Sequence, residues 1–435
     1  MAITIESQPY SLTPRGQRLM FIATSDNTGE LQFKFGVKVT ASSTGQVLQF
    51  LVTPDIDGKL IFDLQSVVKL RNEDSQDGWH SQDFTNYFEE PIGGAIEDYD
   101  VQLQEWWLIT PVGGAPTMTE NESAREDISL RVFNASLSPS YGYRPDVTTT
   151  ENPYSFSLGT NTAQTLSDRV ASTHKWYMAD SFAIGSVDAV YIPVFNGDYG
   201  LLSILATNQY PSSDPPFYAR YTIYDETGAL STFTLNTGVI NGMVHVPCYP
   251  KNLSNDGAIS VNPDNTPDWN YYTISILDES TNLAAITYCF YNASIWGQYD
   301  CRFDRVRLGW VSSRGGWDYF NFIKKNEWNN QIERKQYRRV LYRNSTEIFR
   351  PADRQLFDRE NIVSRNMTIT SDWLQEGEYV FLKNLLFSNQ VQMINIDGTQ
   401  TPVSITDTAF NEKKERSGKK YNITLTITLS QDYWL

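Results

Sequence analysis

The chain has 435 residues, 40% hydrophobic, 13% aromatic and 20% charged, so it is long enough for several domains with cores of their own. Its formal net charge of −16 argues against sequence-independent nucleic-acid binding by the whole chain, because phosphate backbones are repelled. Tyr, Phe and Trp number 25, 22 and 11, and with plentiful Val, Ile and Thr they favour strands over helices.

The opening "MAITIESQPYSLTPRGQ" has neither a basic run nor an apolar core, so no signal peptide is expected. No apolar stretch approaches the roughly 20 residues of a membrane helix. Cys248, Cys289 and Cys301 are odd in number and form no C-x-x-C pair, which predicts reduced, buried thiols and a chain made in a cytoplasm. His245-Val-Pro-Cys248 lacks a second ligand pair, so a strand with a turn proline is preferred to a zinc site.

In chain order, "LQFKFGVKVT" places Leu31, Phe33, Phe35, Val37 and Val39 on one face of a strand. Pro54 to Gly58 then separates two apolar runs in the manner of a hairpin turn. Asp55 and Asp57 resemble the start of a calcium loop, but its later acidic ligands are missing, so turn chemistry is the reading. Between Asn72 and Arg125 there is no Lys or Arg, while acids recur from Glu73 through Glu89, Glu90, Glu97, Asp98 and Asp100 to Glu105. Such a tract reads as a solvated loop or a surface for a basic partner, not as a pair of catalytic carboxylates.

An internal echo follows. "LRVFNASLSPSYGY" (130–143) and "ITYCFYNASIWGQYD" (286–300) share a strand that ends in Asn-Ala-Ser. Upstream, "DIDGKLIFDL" is matched in style by "DETGALSTFTL" (225–235). These predict a duplicated β-sandwich, with units at 1–145 and 154–300 joined by a linker at 143–153.

From Cys301 the charge changes, with fifteen Lys or Arg between Arg302 and Arg365. Val306, Leu308 and Trp310 are expected to face inward and Arg305 and Arg307 outward. "SSRGGW" predicts a tight turn with Gly315 and Gly316 at positive φ, and "WDYFNF" returns as the partner strand. Asp372 and Gln375 are expected to cap a helix whose stripe is Leu374, Phe381, Leu382, Leu385 and Leu386. Asp397-Gly398 marks a hairpin, and "YNITLTITL" alternates as a half-buried final strand. The third unit, 301–435, is therefore expected to be a β-sandwich with one packed helix, and the whole chain mainly β.

"LGWVSSRGGWDYFNF", "ERKQYRR" and the closing segment from "ITSDWLQEGEYVFLKNLLF" to "YNITLTITLS" resemble virion proteins of tailed bacteriophages. The similarity is to tail, ring or baseplate-type components of phages infecting Bacteroidetes, including crAss-like phages. It covers the final third, and "SLTPRGQRLMFIATS" and "TPDIDGKLIFDL" agree more loosely. The resemblance implies tail-tube-like or Ig-like domains in an assembly protein that is not an enzyme. It implies a homo-oligomeric ring of the tail or neck, other tail proteins as neighbours, DNA passing without specific binding, and location in the virion. No catalytic residue, cofactor or metal is carried over, and G-x-S-x-G, H-E-x-x-H and phosphate loops are absent from the sequence.

A ring needs two complementary surfaces on each subunit. The candidates are Arg334, Lys335, Arg338 and Arg339, with Trp317 and Tyr319, against an acidic surface holding Glu89 and Glu90. The competing reading is a glycan-binding adhesin, using the polar-aromatic loops 72–90 and 264–272 as sugar platforms.

Overall fold

The structure is a computed structural model. It describes residues 3–68 apart from 10, 11, 17 and 43, and 96–135 apart from 111, 112 and 134. It also describes 162–165, 189–207, 218–236, 242–254, 263, 269–277, 287–295 and 303–338. The remainder comprises 356–406 apart from 375 and 389, then 422–429 and 433–434. The linker at 143–153 and the end of the second unit near 300 lie outside these residues. Two compact units divide the chain: Met1–Asn292 with Val311–Asp318, and Ala293–Trp310 with Tyr319–Leu435.

The first eight strands are β1 (Ile3–Ser7), β2 (Leu12–Pro14), β3 (Met20–Ser25), β4 (Lys34–Ala41), β5 (Val47–Val52), β6 (Leu60–Asp63), β7 (Ile96–Ile109) and β8 (Thr117–Phe133). They form a three-stranded sheet, β1-β3-β6, and a five-stranded sheet, β2-β8-β7-β4-β5. Alternation on β4 buries Phe35, Val37, Val39 and Ala41, which meet Val101 and Leu103 of β7 and Phe21 and Ala23 of β3 in one core. Leu31 falls short of the strand and is exposed. Gly36 has a reason of its own on the outer face. A Cβ there would lie 2.6 Å from Trp106 Nε1, so the indole covers bare backbone.

The turn at 54–58 has the predicted chemistry and an unexpected place. Asp55 Oδ1 accepts the backbone N–H of Asp57 and of Lys59, at 2.9 and 2.7 Å. However, β5 pairs with β4, and β6 pairs with β3. The turn therefore carries the chain from one sheet to the other and is not a hairpin.

The next eight strands are β9 (Thr162–Thr165), β10 (Ala189–Val194), β11 (Leu201–Thr207), β12 (Tyr218–Tyr224), β13 (Ala229–Asn236), β14 (Gly242–Pro247), β15 (Tyr271–Leu277) and β16 (Thr287–Asn292). Their sheets run β9-β11-β14 and β10-β16-β15-β12-β13. Adding eight to every strand number of the first sandwich reproduces both orders. The copy extends to the unusual pair, since β2 lies parallel to β8 and β10 parallel to β16. Pro14 stands opposite Phe133, and Pro193 stands opposite Tyr291, each one residue before the repeated Asn-Ala. The Asn-Ala-Ser echo thus marks equivalent strand ends. The upstream match does not: "DETG" forms the β12–β13 turn, whose counterpart is the β4–β5 turn, whereas "DIDG" precedes β6.

Two buried tyrosines tie the second pair of sheets together. Tyr221 on β12 and Tyr272 on β15 donate their hydroxyls to the carbonyls of Pro247 and Cys248, both at 2.7 Å. Burial pushes both phenols well above their ordinary range. Cys248 and Cys289 are buried thiols outside any disulfide, and burial likewise raises the Cys289 thiol. His245 Nδ1 lies 3.0 Å from Ser203 Oγ inside the fold. Among the described residues no group of His, Cys, Asp or Glu is placed to hold a metal ion, and no helix is long and apolar enough to cross a membrane.

The last eight strands are β17 (Val306–Val311), β18 (Trp317–Phe322), β19 (Asn326–Arg338), β20 (Leu356–Thr370), β21 (Val391–Ile394), β22 (Gln400–Ile405), β23 (Thr424–Leu429) and β24 (Tyr433–Trp434). They form one sheet, β18-β17-β21-β22-β23-β20-β19, with β24 beside β20. Its two end strands, β18 and β19, are separated in sequence only by 323–325. The Lys324 N–H donates to the Thr370 carbonyl at 3.3 Å. One bent segment therefore borders β17 along its first half and β20 along its second, so the sheet curls back on itself. The layers of this sandwich come from a single sheet.

Inside the curl, Val306, Leu308, Trp310, Ile369, Leu425 and Ile427 meet Phe381, Leu382 and Leu385 of the helix Glu376–Leu385. A helix forms where expected and buries Phe381, Leu382 and Leu385 of the stripe, but Leu374 and Leu386 lie outside its bounds and its start differs. Asp372 lies before the helix and accepts the N–H of Trp373 at 2.7 Å, so it does not cap it. Gln375 lies outside the described residues. At the β17–β18 turn Gly315 has φ of 90°, whereas Gly316 is not at positive φ. Arg307 is a second correction. It is 5% exposed, with its guanidinium over the Tyr319 ring at 5.0 Å and Nη1 donating to Asn321 Oδ1 at 3.2 Å. A cation–π partner and an amide acceptor make that burial tolerable.

Candidate assembly interface

The β19–β20 hairpin is an exposed part of the fold. Thirteen residues of β19 pair with β20, from Asn326 opposite Ile369 to Arg338 opposite Leu356. Every residue of β19 after Asn326 is exposed. β24 and β23 flank β20 only from Ile362 onward. Beyond that point the hairpin is, among the described residues, a two-stranded ribbon, a form that is marginal in water without further partners. A register shift between Lys335 and Gln336 adds Arg359 to β20 as a bulge.

Charges on the ribbon largely answer one another. Arg334, Lys335, Arg338, Arg359 and Arg365 stand against Glu327, Glu333, Asp358 and Glu360, close to balance. Lys335 Nζ meets Glu360 Oε2 at 2.8 Å, which raises the pKa of the ammonium, and Lys325 Nζ meets Glu327 Oε2 at 2.8 Å. Arg365 lies over the Trp328 ring at 4.7 Å, and Tyr337 stacks on Phe357 with centroids 5.7 Å apart. Between the two strands, 339–355 contains Arg339, Arg343, Arg350 and Arg354 with Glu347 and Asp353, and lies outside the described residues.

Of the residues predicted from sequence, Arg334, Lys335 and Arg338 are together on this exposed strand. Arg339, Glu89 and Glu90 lie outside the described residues. Trp317 and Tyr319 are only 1% and 2% exposed. They fill the subunit's own interior and present no surface to a neighbour, so their place among interface residues is withdrawn. The Trp317 N–H donates to Ser203 Oγ at 3.0 Å.

Within the acidic tract, the described members are engaged locally. Asp98 is held by Arg131 at 2.8 Å, Glu97 accepts from Tyr99 at 2.7 Å, and Asp100 accepts from Ser129 at 2.8 Å. Glu105 is fully buried and accepts from the Ser25 hydroxyl and, both at 2.9 Å, from the Asn27 and Asn121 amides. Of the loops proposed as sugar platforms, 72–90 lies outside the described residues. In the other, Trp269, Tyr271 and Tyr272 are buried and offer no face to a glycan.

Trp328, Ile332, Tyr337 and Leu356 are large apolar residues exposed on the ribbon, at 38, 50, 49 and 42%. Sequence reasoning passed over them because "NEWNNQIERKQYR" reads first as a charged run. Its signal was the isolated Trp and Ile in an otherwise polar strand, set four apart on one face.

No family model matches the sequence, and no curated relative does. Solved structures with some likeness include the chicken CNTN1 FN1–FN3 domains (8% identity, 66% of this chain and 65% of that one, TM-score 0.15). Others are the extracellular region of plexin A4 (11%, 98% and 39%, 0.16) and a Salmonella alpha-2-macroglobulin mutant (8%, 98% and 31%, 0.18). The chain spans less than two thirds of each, and overlap at this level carries no argument about function.

Proposed function

We propose that the chain is a structural component of a tailed-phage virion, forming a homo-oligomeric ring of the tail or neck around the DNA conduit. The observation that carries this reading is the β19–β20 hairpin, an exposed ribbon that gathers Arg334, Lys335 and Arg338 at one end of β19. The resemblance of the final third to phage tail, ring and baseplate-type components supplies the setting. The net charge of −16 suits a conduit that DNA passes without sticking, since repulsion is confined to about 8–10 Å at physiological salt. In this reading the chain works by assembly, with other tail or neck proteins as neighbours and no chemistry of its own. Ring contacts are heterologous, so the arginines at the end of β19 face an acidic surface of the next subunit.

Negative-stain images of the purified full chain test the reading, and closed rings are the expected result. A chain that remains monomeric at micromolar concentration across a range of salt overturns it.

A further inference from the structure

No described strand pairs with the outer edge of the thirteen-residue β19, and the sequence of β19 is complementary to itself. We infer that it joins a second copy of this chain by antiparallel β19–β19 pairing about a two-fold axis at Gln331. In that register, positions whose numbers add to 662 lie opposite each other.

Consider the face that carries the even-numbered residues. Trp328 stands opposite Arg334 of the second copy, and Asn330 stands opposite Ile332. Ile332 is then diagonal to its own symmetry mate and to the second Trp328. The two apolar side chains exposed at 38 and 50% thus gather in one central cluster, capped at both ends by a guanidinium over an indole. On the other face Glu327 stands opposite Lys335 of the second copy, and symmetry repeats the pair. Lys335 would sit between that carboxylate and Glu360, which it already meets at 2.8 Å, and an ammonium has donors for both.

Neighbouring registers are worse. With the axis at Asn330, Trp328 faces Ile332, but Glu327 faces Glu333 twice by symmetry and no opposite charges meet within β19. With the axis at Ile332, no opposite charges face each other at all. Charged residues on an edge strand ordinarily deter pairing with foreign strands. Here their order deters strangers and misregistered copies while accepting one alignment. The contact is isologous and closes at two copies, so it is separate from the head-to-tail contacts of a ring and would join rings in pairs.

Sedimentation velocity on full-length variants over a concentration series tests it. Wild type should show an association step that doubles the mass. Glu327→Lys leaves only lysines at the paired positions, and Lys335→Glu leaves only glutamates, so each alone should weaken that step about tenfold or more. An equimolar mixture of the two variants should restore it, because each supplies what the other lacks. Separately, Gln331→Cys should give a disulfide-linked dimer under mild oxidation above the wild-type background, and Asn329→Cys should not. The proposal is overturned by a wild type without the doubling step, by single variants that associate like wild type, or by a mixture no better than its components. Closed rings of the single variants in negative stain would leave the ring reading standing in any of those cases.

Discussion

Three glycines separate backbone strain from packing, because an added Cβ would meet nothing within 4 Å at any of them. Gly29 is not at positive φ, Gly45 has φ of 63°, and Gly228 has φ of 139°. Gly45 and Gly228 occupy equivalent turns of the duplicated sandwich, β4–β5 and β12–β13. Alanine at any of the three restricts the unfolded chain, a stabilising effect of about 0.4–1 kcal/mol. At Gly29 nothing opposes it, so Gly29→Ala should be stabilising by about 0.5 kcal/mol. At Gly45 the left-handed conformation costs about 1–2 kcal/mol, leaving a net loss of about 1 kcal/mol. Gly228 lies far beyond the left-handed well near +57°, and strain of about 1–3 kcal/mol should make Gly228→Ala the worst, at about 2 kcal/mol. Calorimetry of the full-length variants reads the order, with about 2–4 °C in Tm per kcal/mol for units of this size. Equal stabilities for Gly228→Ala and Gly29→Ala would refute the reasoning, since the two sites then differ in nothing that matters.

Glu105→Leu removes the acceptor for Ser25, Asn27 and Asn121 and should destabilise by about 3 kcal/mol, read from the urea midpoint. A loss below about 1 kcal/mol would mean those donors find other partners. Tyr271 is pushed up to about 12, mainly by burial, so it stays neutral in the folded chain where the unfolded chain already ionises. The folded state then holds the extra proton, and its contribution to stability is complete below pH 10 and is lost between pH 10 and about 12. Titration at 295 nm checks this, and a Tyr271→Phe variant with the same alkaline limb as wild type would count against it. Reversing Arg338 and Arg339 to Glu should weaken assembly in a salt-dependent way with the fold intact. Sedimentation equal to wild type at both low and high salt would remove those arginines from the contact.

Periodicity made most strands legible, since Phe33 to Val39 and Ile423 to Ile427 are buried as a period of two requires, and Phe381, Leu382 and Leu385 of the helix are buried as well. The duplication was legible from only a few residues, because equivalent strand ends kept Asn-Ala next to a proline-bearing edge strand. Pairing partners were not legible. A turn such as 54–58 uses the same Asx hydrogen bonds whether it joins two strands of one sheet or crosses between sheets, so local chemistry cannot distinguish them. Arg307 and Trp317 escaped for a related reason. Alternation assigns a face to each residue, and it does not say that both faces of β17 and β18 are buried. On the ribbon, charge counted along the sequence suggested a basic patch, and cross-strand pairing in three dimensions showed near balance.

The treatment of sheet edges separates β19 from its counterparts. β2 and β10 lie at edges and carry Pro14 and Pro193, which have no N–H to offer a foreign strand. β1, β6 and β9 are edges of five, four and four residues, too short to template much. β5, β14 and β13 are six, six and eight residues long. β19 runs for thirteen residues with no proline, and it holds an exposed Trp and Ile at its middle. A strand of that length and composition invites aggregation unless a defined partner covers it. Among the described residues β8 also leaves Thr117–Leu130 unpaired beyond β2, but the register shift between Arg125 and Glu120 breaks that edge, whereas β19 has no such interruption of its own. That makes β19 the first place to look for the neighbouring subunit.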